Sequence, residues 1–368
     1  MLFRLVLHVK WPSPTRVAVA AALISWAVSF YIHHPNVQGN IYSDVTSFWW
    51  RETNLQRGEI PCIQYFFEYP PAACFIVYAA RLFGGDTMVG YYVGFSWLSL
   101  IAFVAVAWAM SRLAGYAGAV FILLPSMIVY GVYNFDHFFT AFMVLSLLAY
   151  INGKTKLAYL LLGAGFSVKL FTILLLPIYL SENREPRKIV EGVLFFVLGA
   201  LPASLPVVLL NPGWILRFLE FHASWGLENA WMVWLSNDPF SQSAKTVGYL
   251  VAALLLIRTY LSNLPLAMKG FLALSSFLLG SPTFTPQMAI WLIPFTAALK
   301  NVWPWLPLFE SANAAIILTW FTTDTPTLPW TPPQSMAVLR AAALAAMWIT
   351  VYRAQTPINF RTLNVKQS

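Results

Sequence analysis

Charged residues are scarce in this chain of 368 residues, because Asp, Glu, Lys and Arg together make up only 10% of it. Soluble domains carry about 25% charged residues. With 59% hydrophobic residues and a mean hydropathy of +0.67, this chain has too little polar surface to cover a soluble core. Two cysteines, Cys62 and Cys74, are too few for a disulfide-rich scaffold, and no bridge is predicted.

Motifs for nucleotide binding are also missing. The chain has neither a G-x-x-x-x-G-K-[ST] loop nor a G-x-G-x-x-G loop, which argues against an ATP-driven pump. The net charge of +8 does not come from a basic stripe interleaved with aromatic residues, so nucleic acid is not a predicted partner. No cluster of His and Cys has metal-ligand spacing, and therefore no metal site is predicted.

Apolar runs of roughly 17 to 25 residues are abundant, and a helix of that length crosses the hydrocarbon core of a membrane. Backbone in lipid must satisfy its own hydrogen bonds. We predict an all-α, polytopic transmembrane helical bundle of about twelve helices, forming a single domain over 1–368. The first run, 17–32, is predicted to be an uncleaved helix, because no small-residue cleavage site follows it. Further spans are predicted at 71–83, 88–111, 115–133, 136–151, 157–180, 189–210, 247–261, 267–280, 287–300, 304–321 and 336–352.

The loop at 181–188 indicates the orientation, because it holds Arg184, Arg187 and Lys188 between two apolar runs. Short loops rich in Lys and Arg stay in the cytoplasm. Counting spans from this loop places both termini in the cytoplasm and the two large polar loops, 33–69 and 211–246, outside or in the lumen. Between residues 69 and 181 two arrangements remain open: five full crossings, or a half-membrane hairpin over 157–180 that moves the 134–136 turn to the outside.

The first large loop carries two acidic residues beside tyrosines. Tyr42 and Asp44 lie near its start, and Glu68 and Tyr69 lie at its end, directly before two prolines. Proline lacks an N–H and restricts the residue before it, so the second pair is held at a helix entrance. An acidic residue after a first helix is ordinarily a solvated loop residue, but the pairing makes Asp44 and Glu68 candidates for chemistry.

The order Tyr-x-Asp followed by Glu-Tyr-Pro-Pro resembles the membrane glycosyltransferases of the GT-C superfamily, above all the polyprenol-phosphate-mannose-dependent branch. Three later passages resemble the same family: PSMIVYGVYNFD at 125–136, a glycine-containing helix with Lys-Leu and a proline at 158–177, and PTFTPQMAIWLIP at 282–294. In the second loop, FHASWGLEN at 221–229 is similar to the family's His-x-x-Arg-Gly-x-x-Glu-Ser pattern. Here Trp225 replaces the arginine and Asn229 replaces the serine.

The resemblance implies inverting transfer of a hexose, with mannose expected, from a polyprenyl- or dolichyl-phosphate sugar to a lipid-linked glycan. Such a reaction needs a general base beside the acceptor hydroxyl and positive charge or hydrogen-bond donors for the departing phosphate. Asp44 matches the family's first-loop aspartate and is the predicted base, with Glu68 as an alternative base or as a partner that orients the acceptor. The predicted substrate-binding residues are Tyr42, Arg51, Tyr69, Asn134, Asp136, Lys169, His222, Glu228 and Gln287.

Few cations fall on the outer side, so the candidates for the phosphate are Arg51, Arg57, Arg217 and His222, together with Lys169 if its helix opens to the cavity. Structural roles compete with these functions. Arg51 and Arg57 could belong to the solvated face of an interfacial helix anchored by Trp49 and Trp50.

Asp136 could instead cap a helix, Lys169 could snorkel, and Gln287 could simply begin a helix. No cofactor is firmly predicted; Asp44 with Glu68 or Asp136 could at most hold a hard divalent cation. Two other functions also remain open. One is a transporter or lipid flippase whose intramembrane Lys169 and Asp136 line a pathway, and the other is a non-catalytic membrane subunit.

Overall fold

The computed structural model describes residues 12–183 and 185–354 of the chain. Within these ranges the backbone forms sixteen α-helices joined by short 3₁₀ turns, without a β-strand, which confirms the predicted all-α class. Arg184, used above to orient the chain, lies outside the described residues. The helices are α1 (Pro14–His33), α2 (Asp44–Arg51), α3 (Thr53–Gln56), α4 (Pro71–Gly84), α5 (Met88–Val120), α6 (Pro125–Val129), α7 (Asp136–Ile151), α8 (Thr155–Val168), α9 (Leu176–Ser181), α10 (Pro186–Leu210), α11 (Trp214–Ser224), α12 (Gln242–Tyr260), α13 (Leu266–Gly280), α14 (Ile293–Ala298), α15 (Leu306–Trp320) and α16 (Pro332–Arg353).

Among residues 12–183 and 185–354, four helical segments are long and apolar enough to cross a membrane: α1, α5 with its extension to Leu123, α10 and α16. The segments Pro125–Tyr133 and Asp136–Ile151, which meet at 117°, add a fifth if they count as one span. Helix α10 presents apolar side chains outward, with Val190, Leu209 and Leu210 each about two-thirds exposed. Such a surface is compatible with lipid rather than with water.

The two large polar loops meet on one face of the bundle, called the loop face below. The first contains α2 and α3, and the second contains α11 and the start of α12. They touch each other, because the Asn211 amide donates to the Cys62 carbonyl (2.9 Å) and the Trp214 indole donates to the Phe67 carbonyl (3.2 Å). Cys62 also forms a disulfide bond with Cys74, which ties the first loop to the first turn of α4.

Residues 157–180 form a helical hairpin with its tip at Lys169, so a single span over this range is wrong. Helix α8 ends before Lys169, whose backbone is extended (φ −147°, ψ 131°). The chain then returns along α8, where the Thr172 hydroxyl donates to the Leu162 carbonyl (2.8 Å). Further down, the rings of Tyr159 and Tyr179 lie 6.1 Å apart. Of the two arrangements left open by the sequence, the structure has the hairpin.

The turn at 134–136 accordingly lies on the loop face. The Asn134 amide donates to the Asp44 carboxylate (2.6 Å) and to the Tyr69 hydroxyl (2.8 Å), both in the first loop. This turn therefore sits on the side that the hairpin arrangement requires.

Helix α4, which begins within the predicted short span at 71–83, does not cross the bundle. It follows Tyr69 on the loop face, and the next helix starts on the same face, where the Tyr92 hydroxyl donates to the Phe30 carbonyl near the end of α1 (2.7 Å). The far end of α5 reaches the start of α1, where the Tyr116 hydroxyl donates to the Pro12 carbonyl (3.0 Å). Both ends of α4 thus lie on the loop face.

The predicted span at 115–133 crosses without forming one helix. Helix α5 continues past the predicted end at 111 and kinks at Gly115, whose φ of 62° is a conformation that favours glycine. Pro125 then starts α6, which is only five residues long, and a 3₁₀ turn follows at Gly131–Tyr133. The His33 ring at the end of α1 donates to the Val129 carbonyl (2.7 Å), so this stretch returns to the loop face.

Candidate active site

A cavity of about 630 Å³ opens on the loop face between the two loops, the hairpin tip and the 281–288 connection. Nine of the eleven predicted site residues line it: Tyr42, Asp44, Arg51, Glu68, Tyr69, Lys169, His222, Glu228 and Gln287. The other two, Asn134 and Asp136, stand behind the wall and bond to residues that line it. The fold therefore gathers residues up to 245 positions apart, from Tyr42 to Gln287, around one space.

Asp44 is placed by a helix cap and by a buried amide. The Ser43 hydroxyl accepts a hydrogen bond from the Thr46 N–H, so α2 begins at Asp44. The Asn134 amide holds one carboxylate oxygen of Asp44 at 2.6 Å. Burial raises the pKa of the Asp44 carboxyl to about 6, against hydrogen bonds from Asn134 and Tyr42 that favour the ionised form. With a pKa of about 6, most Asp44 carboxyls are ionised at pH 7.

Glu68 forms a two-pronged ion pair with Arg51 at the cavity rim. The Arg51 guanidinium donates to both Glu68 oxygens, at 2.9 Å and 3.3 Å. The Arg51 side chain is 47% exposed and that of Glu68 only 12%, so Arg51 contacts solvent whereas Glu68 is largely buried. Pro71 begins α4 directly afterwards and fixes the chain that carries Glu68. The Arg51 charge is thus partly neutralised before any ligand binds.

Lys169 and Asp136 form a buried ion pair at the hairpin tip. The Lys169 ammonium donates to both Asp136 oxygens (2.8 Å and 3.0 Å), and the Trp291 indole N–H donates to one of them (2.7 Å). Asp136 is the first residue of α7 as well, but its carboxylate is bound by these side chains. Lys169 does not snorkel, because it is only 6% exposed. The two charges compensate each other in an apolar setting.

The second loop contributes Glu228 and His222. Glu228 lies between two backbone hydrogen bonds to the 282–284 connection, and burial raises its pKa to about 7, with the nearby Asp44 charge adding to the rise and Arg340 opposing it. His222 donates from Nδ1 to the Phe218 carbonyl (2.8 Å) and packs on the Trp225 ring (5.3 Å), and burial lowers its pKa. Trp225 lines the cavity where the resemblance expects an arginine.

The other candidate cations lie elsewhere. Arg57 is exposed and Arg217 donates to the Asn211 side chain (2.8 Å), and neither lines the cavity. Trp49, considered as a membrane anchor, is instead buried against Tyr91 (5.4 Å between ring centroids). Only Arg51, Lys169 and His222 of the five proposed cations therefore reach this space.

Two buried cations beside the cavity escaped the sequence analysis. Lys245 and Arg340 are 4% and 0% exposed, and both bond to carbonyls of the second loop. Arg340 interrupts the apolar run 336–352, and a charge inside such a run is by itself a sign of function. That signal was available in the sequence, whereas Lys245 looked like an ordinary loop residue.

Unpartnered polar atoms also point to a ligand. The Thr285 hydroxyl, the Gln287 Oε1 and the Asn229 Oδ1 are buried and have no hydrogen-bond partner in the described part of the chain, and all three residues line the cavity. A buried polar group without a partner is unfavourable unless a bound molecule or water satisfies it. Gln287 does lie in the first turn of a 3₁₀ helix, Pro286–Leu292, but its side-chain oxygen is one of these atoms that could accept a hydrogen bond from a ligand.

One wall of the cavity is apolar and reaches the surface of the bundle. Leu219 of α11 and Tyr249 of α12 line the cavity and are also 56% and 59% exposed. Phe171, Phe277 and Ile317 continue this wall inward. The polar chemistry and an apolar surface thus meet in one space.

The carboxylates around the cavity do not gather into a metal site in the part of the chain that the structure describes. No group of three or more His, Cys, Asp or Glu residues is placed to hold an ion there. Glu68 is bound by Arg51, and Asp136 is bound by Lys169. The hard-cation pairs considered for Asp44 would have to displace one of these cations.

Comparison with known proteins decides the family. The family model described as glycosyltransferase family 87 matches residues 66–282, which is more than half of the chain. The chain belongs to glycosyltransferase family 87. A comparison with curated proteins found no match.

The family 87 chain also resembles a solved structure, that of ArnT from Cupriavidus metallidurans bound to undecaprenyl phosphate. The TM-score is 0.50 at 14% sequence identity, over 92% of this chain and 76% of that one. This likeness and the apolar spans confirm the expected GT-C-like integral membrane fold. The family match includes Glu68, His222 and Glu228, whereas Asp44 and Gln287 lie outside it.

Proposed function

We propose that this glycosyltransferase transfers a hexose, specifically mannose, from a polyprenyl- or dolichyl-phosphate sugar to a hydroxyl of a lipid-linked glycan. The observation that carries the proposal is the position of Asp44 in the cavity. Its carboxylate is held by the Asn134 amide, and its raised pKa of about 6 still leaves it ionised at neutral pH. An ionised, oriented carboxylate in a partly dry cavity is what a general base requires.

In the proposed reaction the acceptor hydroxyl attacks the anomeric carbon as Asp44 takes its proton. The bond from that carbon to the phosphate oxygen breaks on the opposite face of the sugar, so the configuration inverts. The lipid phosphate leaves as an anion and needs no general acid. Arg51 and Lys169 are the cavity cations that could stabilise its negative charge, through contacts that loosen their present pairs. His222 could contribute once its ring takes up a second proton from solvent, because its Nδ1–H is already donated to Phe218.

The remaining site residues fit recognition of a sugar. Gln287 offers a buried amide oxygen without a partner, and Glu228 and Tyr69 present a carboxyl and a hydroxyl to the same space. Glu68 is proposed to orient the acceptor through its pair with Arg51. A site built to bind a sugar hydroxyl discriminates strongly against a sugar that lacks it, because the buried polar groups of the site would then have no partner.

The apolar wall supports a lipid-linked donor. Leu219 and Tyr249 give the cavity a side that faces the surroundings of the helices. Each buried CH₂ of a lipid contributes about 0.8 kcal/mol, so a polyprenyl chain along such a wall would hold the donor firmly. The solved ArnT structure, which shares the fold, has undecaprenyl phosphate bound.

We place the loop face outside the cytoplasm or in the lumen, and both termini on the cytoplasmic side. Two observations support this orientation. Arg187 and Lys188 begin α10, which runs from the opposite face to the loop face, and cations flanking spans favour the cytoplasm. The Cys62–Cys74 disulfide lies in the first loop, and disulfides persist in oxidising compartments.

The proposal is tested with purified protein in detergent or nanodiscs. Polyprenyl-phosphate mannose, polyprenyl-phosphate glucose and GDP-mannose are supplied separately with lipid-linked glycan acceptors, and products are identified by mass spectrometry. We expect transfer from polyprenyl-phosphate mannose, and a loss of about 10²- to 10⁴-fold in Asp44→Asn and Asp44→Ala. Asp86→Asn is the matched control, because Asp86 is exposed and lies outside the cavity.

Full activity in both Asp44 variants would remove Asp44 as the base. Transfer from GDP-mannose alone would contradict the lipid-linked donor. A transporter or flippase would instead give counterflow of labelled lipid in proteoliposomes without a covalent product. The pairing of Lys169 with Asp136 offers such a pathway no free charge in the observed conformation.

A further inference from the structure

The second loop presents Glu228 from a short stretch of backbone, residues 225–229, called the Glu228 segment. It is joined to the 282–284 connection by three hydrogen bonds. The Glu228 N–H donates to the Pro282 carbonyl (2.9 Å), the Phe284 N–H donates to the Glu228 carbonyl (3.0 Å), and the Thr283 hydroxyl donates to the Gly226 carbonyl (3.2 Å). Residues 225–229 belong to no helix or strand, although the Leu227 N–H also donates to the Pro239 carbonyl and Leu227 is buried in an apolar cluster with Ala244 of α12. Backbone outside regular secondary structure opens more easily than helix or sheet, so the ends of this segment need further contacts.

Two buried cations hold its two ends. At the start, the Lys245 ammonium of α12 donates to the Trp225 carbonyl (2.5 Å). At the end, the Arg340 guanidinium of α16 donates to the Asn229 carbonyl (2.7 Å) and to the Phe284 carbonyl (2.5 Å). A third Arg340 bond reaches Asn313 of α15 (2.7 Å), which fixes the guanidinium itself. Arg340 therefore joins Phe284 to Asn229, the residue after Glu228, and so links the Glu228 segment to the 282–284 connection.

These cations are expensive features in a membrane protein. Neither has a carboxylate within 4.0 Å among residues 12–183 and 185–354, although both are almost fully buried. Arg340 also lies over the Phe284 ring, 3.6 Å from the guanidinium carbon to the ring centroid. A buried charge that has such partners but no carboxylate keeps a large part of its desolvation penalty. Apolar residues of similar volume often stabilise a fold as well as buried charges do. The contribution of Lys245 and Arg340 therefore lies in the backbone segment that they bind.

We propose that Lys245 and Arg340 are positioning residues that hold the Glu228 segment in place, so that the Glu228 carboxyl meets a substrate hydroxyl beside Asp44. This proposal rests on the proposed function, which gives the Glu228 carboxyl its role in binding the sugar substrate. It assigns a task to α16, which lies outside the matched family region. It also explains how a loop with Trp225 in place of an arginine remains ordered, because Lys245 donates to the carbonyl of that same residue.

The test compares Arg340→Met, Arg340→Lys, Lys245→Met and Lys245→Arg with wild type. Lys269→Met is the matched control, because Lys269 is also buried but lies at the start of α13, away from the cavity. We expect each Met variant to lower kcat by about 100-fold, since small displacements of a positioning group have effects of that size, with little change in the donor KM. Lys245→Arg should retain most activity, whereas Arg340→Lys should not, because one ammonium cannot reproduce the guanidinium fork.

A double-variant cycle separates positioning from general support of the fold. If Arg340 and Lys245 act through Glu228, adding either Met substitution to Glu228→Gln should lower kcat by only about twofold or less. An equal loss in both backgrounds would overturn the proposal. If Arg340→Met does not fold, Lys245→Met and Lys245→Arg decide by the same criteria.

Hydrogen exchange of the Glu228 and Phe284 amides supplies a readout that does not need activity. We expect both amides to lose protection in the Met variants and to keep it in Lys269→Met. If wild type transfers no sugar, the proposed function fails, and the exchange result still tests whether Lys245 and Arg340 hold the Glu228 segment in place. If wild type is active and the Met variants keep both kcat and protection, the proposed positioning role of Lys245 and Arg340 is wrong and the proposed function stands.

Discussion

The acidic limb of the pH profile should belong to Asp44 and should move when Asn134 is changed. Asp44 accepts a proton only when ionised, and burial raises its pKa to about 6. At pH 5, kcat/KM should therefore be about one-tenth of its plateau. Asn134→Leu removes the 2.6 Å hydrogen bond that favours the ionised form, so the pKa should rise.

The size of this rise follows from the bond. A hydrogen bond to a charged group contributes about 1.5–3 kcal/mol, and one pH unit corresponds to 1.36 kcal/mol. The limb should therefore move up by about one unit or more, to about pH 7, and kcat/KM at pH 6.5 should fall by about threefold from ionisation alone. Raising the pH should recover this part of the loss.

The assay is initial-rate sugar transfer between pH 4.5 and 8.5, measured in the Glu228→Gln background, because Glu228 itself has a pKa of about 7. Asn152→Leu is the control, since Asn152 is exposed at the far end of α7. An unchanged limb in Asn134→Leu would refute the idea that this amide sets the ionisation of Asp44.

The sign of the Asp44 shift also predicts stability: a raised pKa means that the folded state binds the proton more tightly, so stability falls as pH rises from about 4 to 6. Asp44→Asn should therefore raise the melting temperature at pH 7 while lowering transfer as described above, and a lower melting temperature would contradict this. Lys169→Met should lower the free energy of unfolding by about 3–5 kcal/mol, because it leaves the buried Asp136 charge unpaired, and Asp136→Asn in the same chain should restore part of it in detergent melts. Peptide mapping without reductant should recover Cys62 joined to Cys74, and the double serine variant should lose about 3 kcal/mol of stability; free thiols at both positions would show that the bridge does not form.

Composition and span length were sufficient to predict a helical membrane bundle, because both follow from the size of the hydrocarbon core. Span length could not show where the chain leaves a regular helix inside the bundle. The reversal at Lys169 brings its ammonium to Asp136, a partner 33 positions away that no local pattern reveals. Helix α4 has the composition of a short span, yet the first loop holds it at the loop face.

In the candidate site, too, the sequence revealed residues in recognisable passages but not those that are placed by tertiary contacts. Asp44 and Glu68 were found because they flank one loop in a familiar order, and Lys169 because a charge in an apolar run is unusual. Arg340 carried that same signal but lay far from the recognised passages. The contact of Asn134 with Asp44 joins residues 90 positions apart and depends on the 134–136 turn facing the first loop.

The most direct test of the account is a structure of Asp44→Asn with polyprenyl-phosphate mannose and a lipid-linked acceptor bound. We predict the mannose in the cavity, the lipid chain along Leu219 and Tyr249, and the acceptor hydroxyl within about 3 Å of the side chain at position 44, on the face of the anomeric carbon opposite the phosphate. A sugar bound elsewhere, or an acceptor hydroxyl that faces Glu68 or Glu228 instead, would contradict the central claim.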